Sequence, residues 1–255
     1  MKRLVNQSML SASMILILCS PSFAAHPLIT DDTGTQGRGN FQLEVNGGYG
    51  HNEDDGTTTK ESQVSTTLTY GISEPVDIAI GLPCQHIRTE GPGGGTSDYG
   101  ISDFSLEVKW RFWEKDGLSF ALKPGITLPT GDEEKGLGAG DATCHLFFIG
   151  TKEIRPWAFD LNLGYIRNQN DIGEEKDIWH ASLAATVEVA RKLKLAGNIG
   201  AERNNVRNLN TPPAFILGGL IYSLWQNFDI DGGVKRGLTR PAENYTLLAG
   251  ITWRL

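Results

Sequence analysis

The sequence predicts an all-β fold, a closed antiparallel transmembrane β-barrel of about twelve strands in an up-and-down meander, and three observations support it. From Asn40 onward, about twelve segments of alternating apolar and polar residues follow one another. The connections between these segments alternate between short turns and longer polar loops. Charged residues of both signs fall on the polar side of the segments. A period of two is typical of a strand with two unlike faces.

Residues 1–25 have the features of a secretory signal peptide. Lys2 and Arg3 precede a mostly apolar stretch from Met9 to Cys19, and "SPSFAAHP" then offers small residues for cleavage after Ala24 or Ala25. Removal of the two basic residues changes the formal net charge from −7 to −9. This acidic balance does not favour a nucleic-acid partner.

Residues 26–39, "HPLITDDTGTQGRG", are predicted to form a periplasmic segment that folds back into the barrel mouth as a partial plug. His26, Asp31 and Asp32 lie in this segment. The alternative, metal chelation by one histidine and two adjacent carboxylates, is a weak signal. We therefore expect neither a metal site nor a cofactor.

Residues 40–255 are predicted to form the barrel. The clearest strands are "FQLEVNGGY", "DFSLEVKWRFW" and "WAFDLNLGY", in which one side is apolar and the other carries residues such as Gln42, Glu107 and Asp160. The strands at 142–150 and 213–225 are apolar on both sides, so their inward register stays open. After residue 25 no apolar run approaches the 18 residues of a membrane-spanning helix.

The connections place the predicted strands in the membrane. Five short turns are expected at 73–75, 114–117, 153–155, 191–192 and 226–227, and six long loops at 51–61, 88–99, 132–141, 167–177, 205–212 and 240–244. This order puts every long loop at one end and both termini at the other, as in outer-membrane barrels with short periplasmic turns. A closed ring also gives every backbone group within the hydrocarbon a partner.

Aromatic residues concentrate near the predicted strand ends, where they would form the girdles of a membrane barrel. The residues are Tyr49, Trp110, Phe112, Trp157, Tyr165, Trp179, Trp225, Tyr245 and Trp253. Because aromatics suit any strand, single cases carry little weight.

The polar side of the strands predicts the lining of a lumen, since Lys or Arg facing lipid at the midplane would cost about 2–4 kcal/mol. The predicted pore-lining residues are Glu44, Asp77, Glu107, Lys109, Arg111, Lys123, Asp160, Asn162, Glu188, Lys194, Glu202, Asp229, Asp231, Lys235 and Arg254. Two interpretations stay open: a polar permeation path, or a network of ion pairs that closes the interior.

A membrane enzyme is the alternative from another class. Its candidate residues are His180 with Ser182, or His51 and His86 with Asp54, Asp55 and Asp98, and neither set has a nucleophile motif. The glycine-rich stretches at 91–95 and 136–141 do not lie between a strand and a helix, which argues against a nucleotide site. Cys84 and Cys144 fall on strands that are not expected to be neighbours, so we predict free thiols.

The last strand, "YTLLAGITWRL", presents Tyr245, Ile251, Trp253 and Leu255 on one side. It resembles the carboxyl-terminal signal by which the barrel-assembly machinery recognises outer-membrane barrels, although that signal usually ends in Phe or Trp and this chain ends in Leu255.

Four stretches together resemble the outer-membrane transporters of the phenol-degradation meta-pathway family: "HPLITDDTGTQGRGNFQLE", "YGISEPVDIAIGLP", "GISDFSLEVKWRF" and "LPTGDEEKGLGAGDA". The resemblance implies a bacterial outer-membrane barrel that passes small organic compounds, including aromatic or apolar ones, by passive diffusion. Its partners would be outer-membrane lipid and small solutes, with a closed structural barrel as the alternative. The sequence does not determine the oligomeric state.

Overall fold

The computed structural model describes residues 26–54, 56–170 and 172–255. The predicted signal peptide and its cleavage site lie outside the described residues. The described part of the chain forms one antiparallel sheet of thirteen strands that closes on itself. The strands are β1 (Phe41–Asp54), β2 (Thr57–Ser73), β3 (Val76–Gly91), β4 (Gly94–Ile101), β5 (Phe104–Lys115), β6 (Leu118–Leu128), β7 (Thr143–Ile154), β8 (Trp157–Arg167), β9 (Asp177–Ala190), β10 (Leu193–Glu202), β11 (Ala214–Trp225), β12 (Phe228–Gly237) and β13 (Tyr245–Arg254).

The ring has twelve positions because β4 and β5 share one of them. β4 pairs only with β3, and it leads through Ser102 and Asp103 into β5, which pairs with the lower part of β3. Ser102 N–H donates to the Pro83 carbonyl at 3.0 Å across this break. β1 pairs with β2 and β13, and β2 pairs with β3, so the ring is closed. The predicted twelve-stranded meander is confirmed.

The five predicted short turns all connect strands at the end of the barrel where Phe41 lies beside Leu255. At the other end, loops connect β6 to β7, β8 to β9, β10 to β11 and β12 to β13. The predicted loops at 51–61 and 88–99 are wrong, since both stretches are β-hairpins with turns of only two residues. These hairpin tips are rich in Thr, Gly and charge and rise beyond the apolar part of the wall, so both faces are polar and the alternation is lost.

The two faces of the wall differ in exposure along each strand. On β8, Trp157 and Leu163 are 45% and 48% exposed, whereas the alternate Asn162 is 3% exposed. Trp157 and Tyr165 lie about 26 Å apart along that strand at ~3.3 Å per residue. At a strand tilt near 40°, that length spans about 20 Å along the membrane normal, most of the apolar band of an outer-membrane barrel, which is about 25 Å tall. The outer face is therefore apolar between aromatic rings.

The structure resolves the register of the two strands that are apolar on both sides. Ile149 on β7 and Leu217 on β11 are buried, at 0% and 2% exposed, and so lie on the inner face, whereas Leu146 and Leu220 point outward. A side chain at Gly164 would collide with the inward ring of Phe147. One sector of the interior is thus apolar.

Among the described residues, no helix is long and apolar enough to cross a membrane. Cys84 and Cys144 are free thiols, as predicted. Both are exposed on the outer face, two positions along their strands from the outward residues Leu82 and Leu146.

Candidate functional site

The segment from His26 to Asn40 runs along the inner wall of the barrel before it enters β1. Its backbone and side chains contact, in chain order, the inner faces of strands from β12 to β3. The segment therefore passes more than half of the circumference and occupies the sector lined by β5–β12.

Two asparagines hold the middle of the segment. Asn162 on β8 accepts the Asp31 N–H at 2.8 Å and donates to the Asp31 carbonyl at 2.7 Å. Asn198 on β10 accepts the N–H groups of Ile29 and Thr30 at 2.8 and 3.1 Å, and donates to the Thr30 hydroxyl at 2.7 Å. Each amide thus satisfies backbone groups that have no strand partner, as a buried backbone requires.

Hydroxyl groups hold the segment on either side of Asp31. Thr30 donates to the Ser182 hydroxyl at 2.7 Å, and the Thr33 N–H donates to the Thr151 hydroxyl at 3.0 Å. Closer to β1, the Gln36 N–H donates to the Asp77 carboxylate at 3.0 Å. These contacts make the segment an ordered part of the interior.

A cluster of charges surrounds Asp31. Its carboxylate lies 2.8 Å from the Lys109 ammonium and 3.2 Å from the Lys123 ammonium. Lys123 also lies 2.9 Å from Glu107, and His145 Nε2 lies 3.0 Å from Glu107. Both lysines are therefore committed to carboxylates, and the cluster closes this sector of the lumen.

The two aspartates of the segment titrate in opposite directions. Burial alone would raise the pKa of Asp31, but the ammonium groups of Lys109 and Lys123 hold that pKa well below its usual range. Burial raises the pKa of Asp32 to about 8, against the opposing pull of Lys109 and with added repulsion from Asp160. Asp32 Oδ2 is buried without a hydrogen-bond partner within the described chain.

The beginning of the described segment contacts the opposite side of the barrel. His26 Nδ1 lies 2.5 Å from Asp231 Oδ1, and Pro27 is fully buried. A Cβ at Gly219 or Gly233 would contact the Pro27 ring, so glycine at these positions lets the ring approach the wall. His26 does not join Asp31 and Asp32, so the structure does not assemble the metal ligands weighed from the sequence.

Two cavities lie between the segment and strands β1–β3. The inner one, of about 240 Å³, is lined by Gln36, Gln42, Glu44, Thr69 and Asp77 among others. The outer one, of about 340 Å³, is lined by Gly48, Gly50, Glu61, Lys235 and Glu243 among others. Four residues line both cavities: His26, Leu28, Ile29 and Asn46. The two cavities are thus stacked along the barrel axis and meet at the level of Asn46.

The loop between β6 and β7 lies at the loop end of the barrel, against the inner face of the β3–β4 hairpin. Its 3-10 helix, Glu133–Lys135, is followed by the buried Leu137, and Gln85 donates to the Gly136 carbonyl at 3.2 Å. Asp103 accepts the N–H groups of Gly131 and Ala139, both at 2.8 Å. This loop is held inward over the mouth.

All of the predicted pore-lining residues fall on the inner face, but they do different things. Six of them contact the segment or its charge cluster: Glu107, Lys109, Lys123, Asn162, Asp77 and Asp231. Two others, Glu44 and Lys235, line the cavities. The others lie elsewhere on the wall. Asp160 accepts a hydrogen bond from the Thr151 hydroxyl and forms no ion pair within the described residues. Asp229 pairs with Arg254 at 2.6 Å, and Arg111 pairs with Glu114 at 3.2 Å. Glu202 lies 3.3 Å from His180, and Glu188 is the cross-strand partner of Lys194.

The residues weighed for an enzyme are only partly brought together. His180 Nε2 lies 3.0 Å from the Ser182 hydroxyl, but this hydroxyl is buried and accepts a hydrogen bond from Thr30. His51 and His86 lie on the outer face with Tyr49, and Asp54 and Asp98 alternate to the inner face. Asp55 lies outside the described residues. No described carboxylate therefore joins the two outer histidines.

Four residues hold the segment although the sequence did not predict this role for them: Ser119, Thr151, Ser182 and Asn198. Ser182 was considered only as part of an enzyme site. His145, which was not predicted either, contacts Glu107 of the charge cluster and not the segment. Each of these five is a polar residue at an inward position of a strand, and that position was the available signal.

The four residues of the terminal strand that resemble an assembly signal lie on the outer face. Ile251 and Trp253 are 38% and 43% exposed, and Tyr245 stacks on His51 with ring centroids 5.2 Å apart. Leu255 N–H donates to the Phe41 carbonyl at 2.8 Å, and Phe41 N–H donates back at 3.0 Å.

Comparison with known proteins places the chain in a family and a fold. A family model described as "Putative MetA-pathway of phenol degradation" matches residues 30–255. A comparison with curated proteins finds no match.

Among solved structures, the COG4313 outer membrane channel from Pseudomonas putida F1 is similar with a TM-score of 0.70 at 15% identity, over 88% of this chain and 98% of that one. The translocator domain of the autotransporter NalP from Neisseria meningitidis has a TM-score of 0.53 at 13% identity, over 86% and 89% of the two chains. The KdgM porin has a TM-score of 0.52 at 6% identity, over 83% and 98%. At these identities the likeness shows the fold, an outer-membrane β-barrel.

Proposed function

The chain belongs to the MetA-pathway family of phenol degradation, and from this premise we propose that it is a passive channel of the bacterial outer membrane for small organic compounds. The proposal includes aromatic and other apolar compounds among the solutes. Two observations support a location in the outer membrane: the fold is similar to that of an outer-membrane channel, and the outer face of the barrel has an apolar band.

The observation that carries the proposal is the pair of stacked cavities beside β1–β3. Their volumes of about 340 and 240 Å³ both exceed the ~150 Å³ that holds a benzene molecule in a protein interior. Leu28, Ile29 and the glycines at 47, 48 and 50 give the path apolar surface, and Glu44, Glu61 and Asn46 give it polar groups. A small ring with a polar substituent matches such a lining.

Solute would enter at the loop end, pass the outer cavity, and reach the inner cavity at the level where both share His26, Leu28, Ile29 and Asn46. We propose that this shared level is the constriction of the path. The segment from His26 to Asn40 forms one wall of it, and we propose that this segment acts as a partial plug. The shape of the constriction and its few polar groups would set specificity.

A glycine pair tests the path. A side chain at Gly48 would project into the outer cavity, with Leu248 and Thr246 at 3.6 and 3.9 Å from the added Cβ. Gly218 faces outward and nothing lies within 4 Å of an added Cβ. We expect Gly48→Phe to lower single-channel conductance in planar bilayers and to slow solute-driven liposome swelling, while Gly218→Phe leaves both unchanged.

The competing function is a structural barrel with a closed lumen, supported by the charge cluster around Asp31. In that case the pure folded protein would show no solute flux, and the two glycine variants would behave alike. Either result would reject the channel.

We also propose that the protein is not an enzyme. The similar structures named above are channels, porins and translocators, and the Ser182 hydroxyl is covered by the N-terminal segment. Hydrolysis of lipid or peptide substrates by the pure protein, abolished by His180→Ala, would overturn this.

We propose that the outward residues of β13, Tyr245, Ile251, Trp253 and Leu255, are recognised by the barrel-assembly machinery. Trp253→Ser should lower the folded fraction in cells but not the refolding yield in detergent. Ile230→Ser, on the outer face of the adjacent β12, is the matched control. Equal loss in both variants, or equal loss in detergent, would contradict the role.

A further inference from the structure

A row of basic side chains crosses the outer face of the barrel near its loop end. On neighbouring strands, Arg236 lies opposite Tyr245, and Tyr245 lies opposite His51. His51 in turn lies opposite Lys60, and Lys60 lies opposite Arg88. Directly opposed residues of an antiparallel sheet lie on the same face. Tyr49 and Leu247, two positions away on β1 and β13, are exposed on the outer face, so this row faces outward as well. We call Arg236, His51, Lys60 and Arg88 the basic row.

The same line of cross-strand partners shows where the basic row leaves the membrane. Beyond Arg236 the line continues through Ile216, Ile199, Leu183 and Leu161, and it reaches Phe120 beside the periplasmic turn. Apolar outward residues thus occupy the line from the periplasmic end as far as Ile216. The chemistry changes to basic at the next strand, where the line passes above the apolar band.

Two of the three Lys and Arg side chains in the basic row carry charge that no described residue neutralises. Lys60 and Arg236 form no ion pair with any described residue, whereas Arg88 contacts Glu90 at 2.5 Å with 58% of its side chain exposed. His51 stacks on Tyr245 and adds a hydrogen-bond donor between Arg236 and Lys60. An anionic surface in contact with this side of the barrel would be attracted to it.

The basic row is tall as well as wide. At a strand spacing of ~4.8 Å it is roughly 19 Å wide, and at a strand tilt near 40° Arg88 lies roughly 12 Å further from the membrane centre than Arg236. A single plane of phospholipid phosphates would meet only its lower end. A headgroup that carries several anionic groups at different heights would meet all of it.

We propose that the basic row binds a phosphorylated glycolipid of the outer leaflet through its phosphate groups. Arg236 would take the phosphate nearest the acyl chains, and Lys60 and Arg88 the anionic groups further out. Tyr49 and Tyr245 flank the site at the boundary between acyl chains and headgroup, where aromatic rings are favoured. The site does not depend on transport through the lumen.

The test measures binding of bis-phosphorylated lipid A to the folded full-length protein by native mass spectrometry. We expect the combined variant Lys60→Gln, Arg88→Gln and Arg236→Gln to bind about a hundredfold more weakly, since each of the three basic side chains near an anionic surface contributes about fivefold. The matched control removes the same charge at the opposite end, by Lys115→Gln, Arg155→Gln and Arg191→Gln, all exposed near periplasmic turns. It should bind as the wild type does.

Two lipid arms identify the ligand. Dephosphorylated lipid A should bind the wild type as weakly as bis-phosphorylated lipid A binds the variant, and phosphatidylglycerol should bind more weakly than bis-phosphorylated lipid A. Equal binding of phosphatidylglycerol, or an equal loss in the periplasmic control, would overturn the proposal. Should the combined variant fail to fold, Lys60→Gln alone must weaken binding and Lys60→Arg must restore it.

Discussion

Asp32 links the docking of the N-terminal segment to pH. The pKa of Asp32 in the docked segment is about 8, above its ordinary value of 3.8. Between these two pH values, Asp32 is protonated in the docked segment and ionised in a segment that has left the barrel wall. The contribution of Asp32 to docking is therefore complete below about pH 4 and is lost as the pH rises through 8. We expect conductance of the wild type to rise between pH 6 and pH 9. The rise should disappear in Asp32→Asn, which keeps the shape without the titration, and a persistent rise would contradict this role.

Glu44 and Glu61 make the proposed path selective for charge. Each lines one cavity, and neither forms an ion pair within the described residues, whereas Lys109 and Lys123 are committed to Asp31 and Glu107. A unit charge about 5 Å from an ion in water contributes roughly 0.8 kcal/mol, or about fourfold. We expect the wild type to prefer K⁺ over Cl⁻, and each Glu→Gln variant to reduce that preference severalfold.

The reversal potential in a KCl gradient measures this preference. Glu133→Gln, an exposed acid of the 3-10 helix, is the control of equal charge change. A wild type that prefers Cl⁻ would contradict the assignment of the path.

Alternation along single strands was enough to place the charged residues on the inner face, from Glu44 to Arg254. This alternation did not predict which of these side chains contact one another. Asp31 reaches Lys109 and Lys123 because the barrel curvature brings β5 and β6 to the N-terminal segment. That proximity depends on register and shear, which no local pattern of residues contains.

At the scale of elements, the N-terminal segment depends on two side-chain amides. Asn162 and Asn198 make five hydrogen bonds to residues 29–31. At a net ~1 kcal/mol for each bond, removal of both amides costs docking about 2–5 kcal/mol. We expect Asn162→Ala with Asn198→Ala to raise mean conductance and current noise. Asn168→Ala, in the loop between β8 and β9, is the control, and an equal effect there would indicate a general loosening.

The strands were predictable where one face meets lipid, because lipid imposes the alternation. The tips of the β1–β2 and β3–β4 hairpins were not, because Thr58, Thr59 and Gly95 lie on wall that rises into water on both sides. Backbone hydrogen bonds across the hairpins hold those tips in strand form, together with ion pairs such as Arg240 with Asp54 and the β6–β7 loop against the β3–β4 hairpin. The polar composition of these tips reflects their position outside the apolar band of the wall and does not indicate a loop.

At the scale of the whole molecule, the number of ring positions was predictable from the count of alternating segments, because the additional strand β4 shares one position with β5. The topology has a direct test in a background of Cys84→Ser and Cys144→Ser. We expect a cysteine at Thr96, on the tip of the β3–β4 hairpin, to react with an impermeant maleimide on intact cells. A cysteine at Arg191, in a short turn, should react only after the outer membrane is opened. The reverse pattern would contradict the orientation.

The joint between β1 and β13 has a consequence for biosynthesis. Every partner pair across it, from His51 with Tyr245 to Gln42 with Arg254, joins residues about 200 positions apart. Such a contact has the largest loop-closure cost in the chain and forms late. Until it forms, both edge strands expose unpaired amides that hydrocarbon does not tolerate. We therefore expect a chain that enters the membrane to need another partner for its free edges until its final strand arrives.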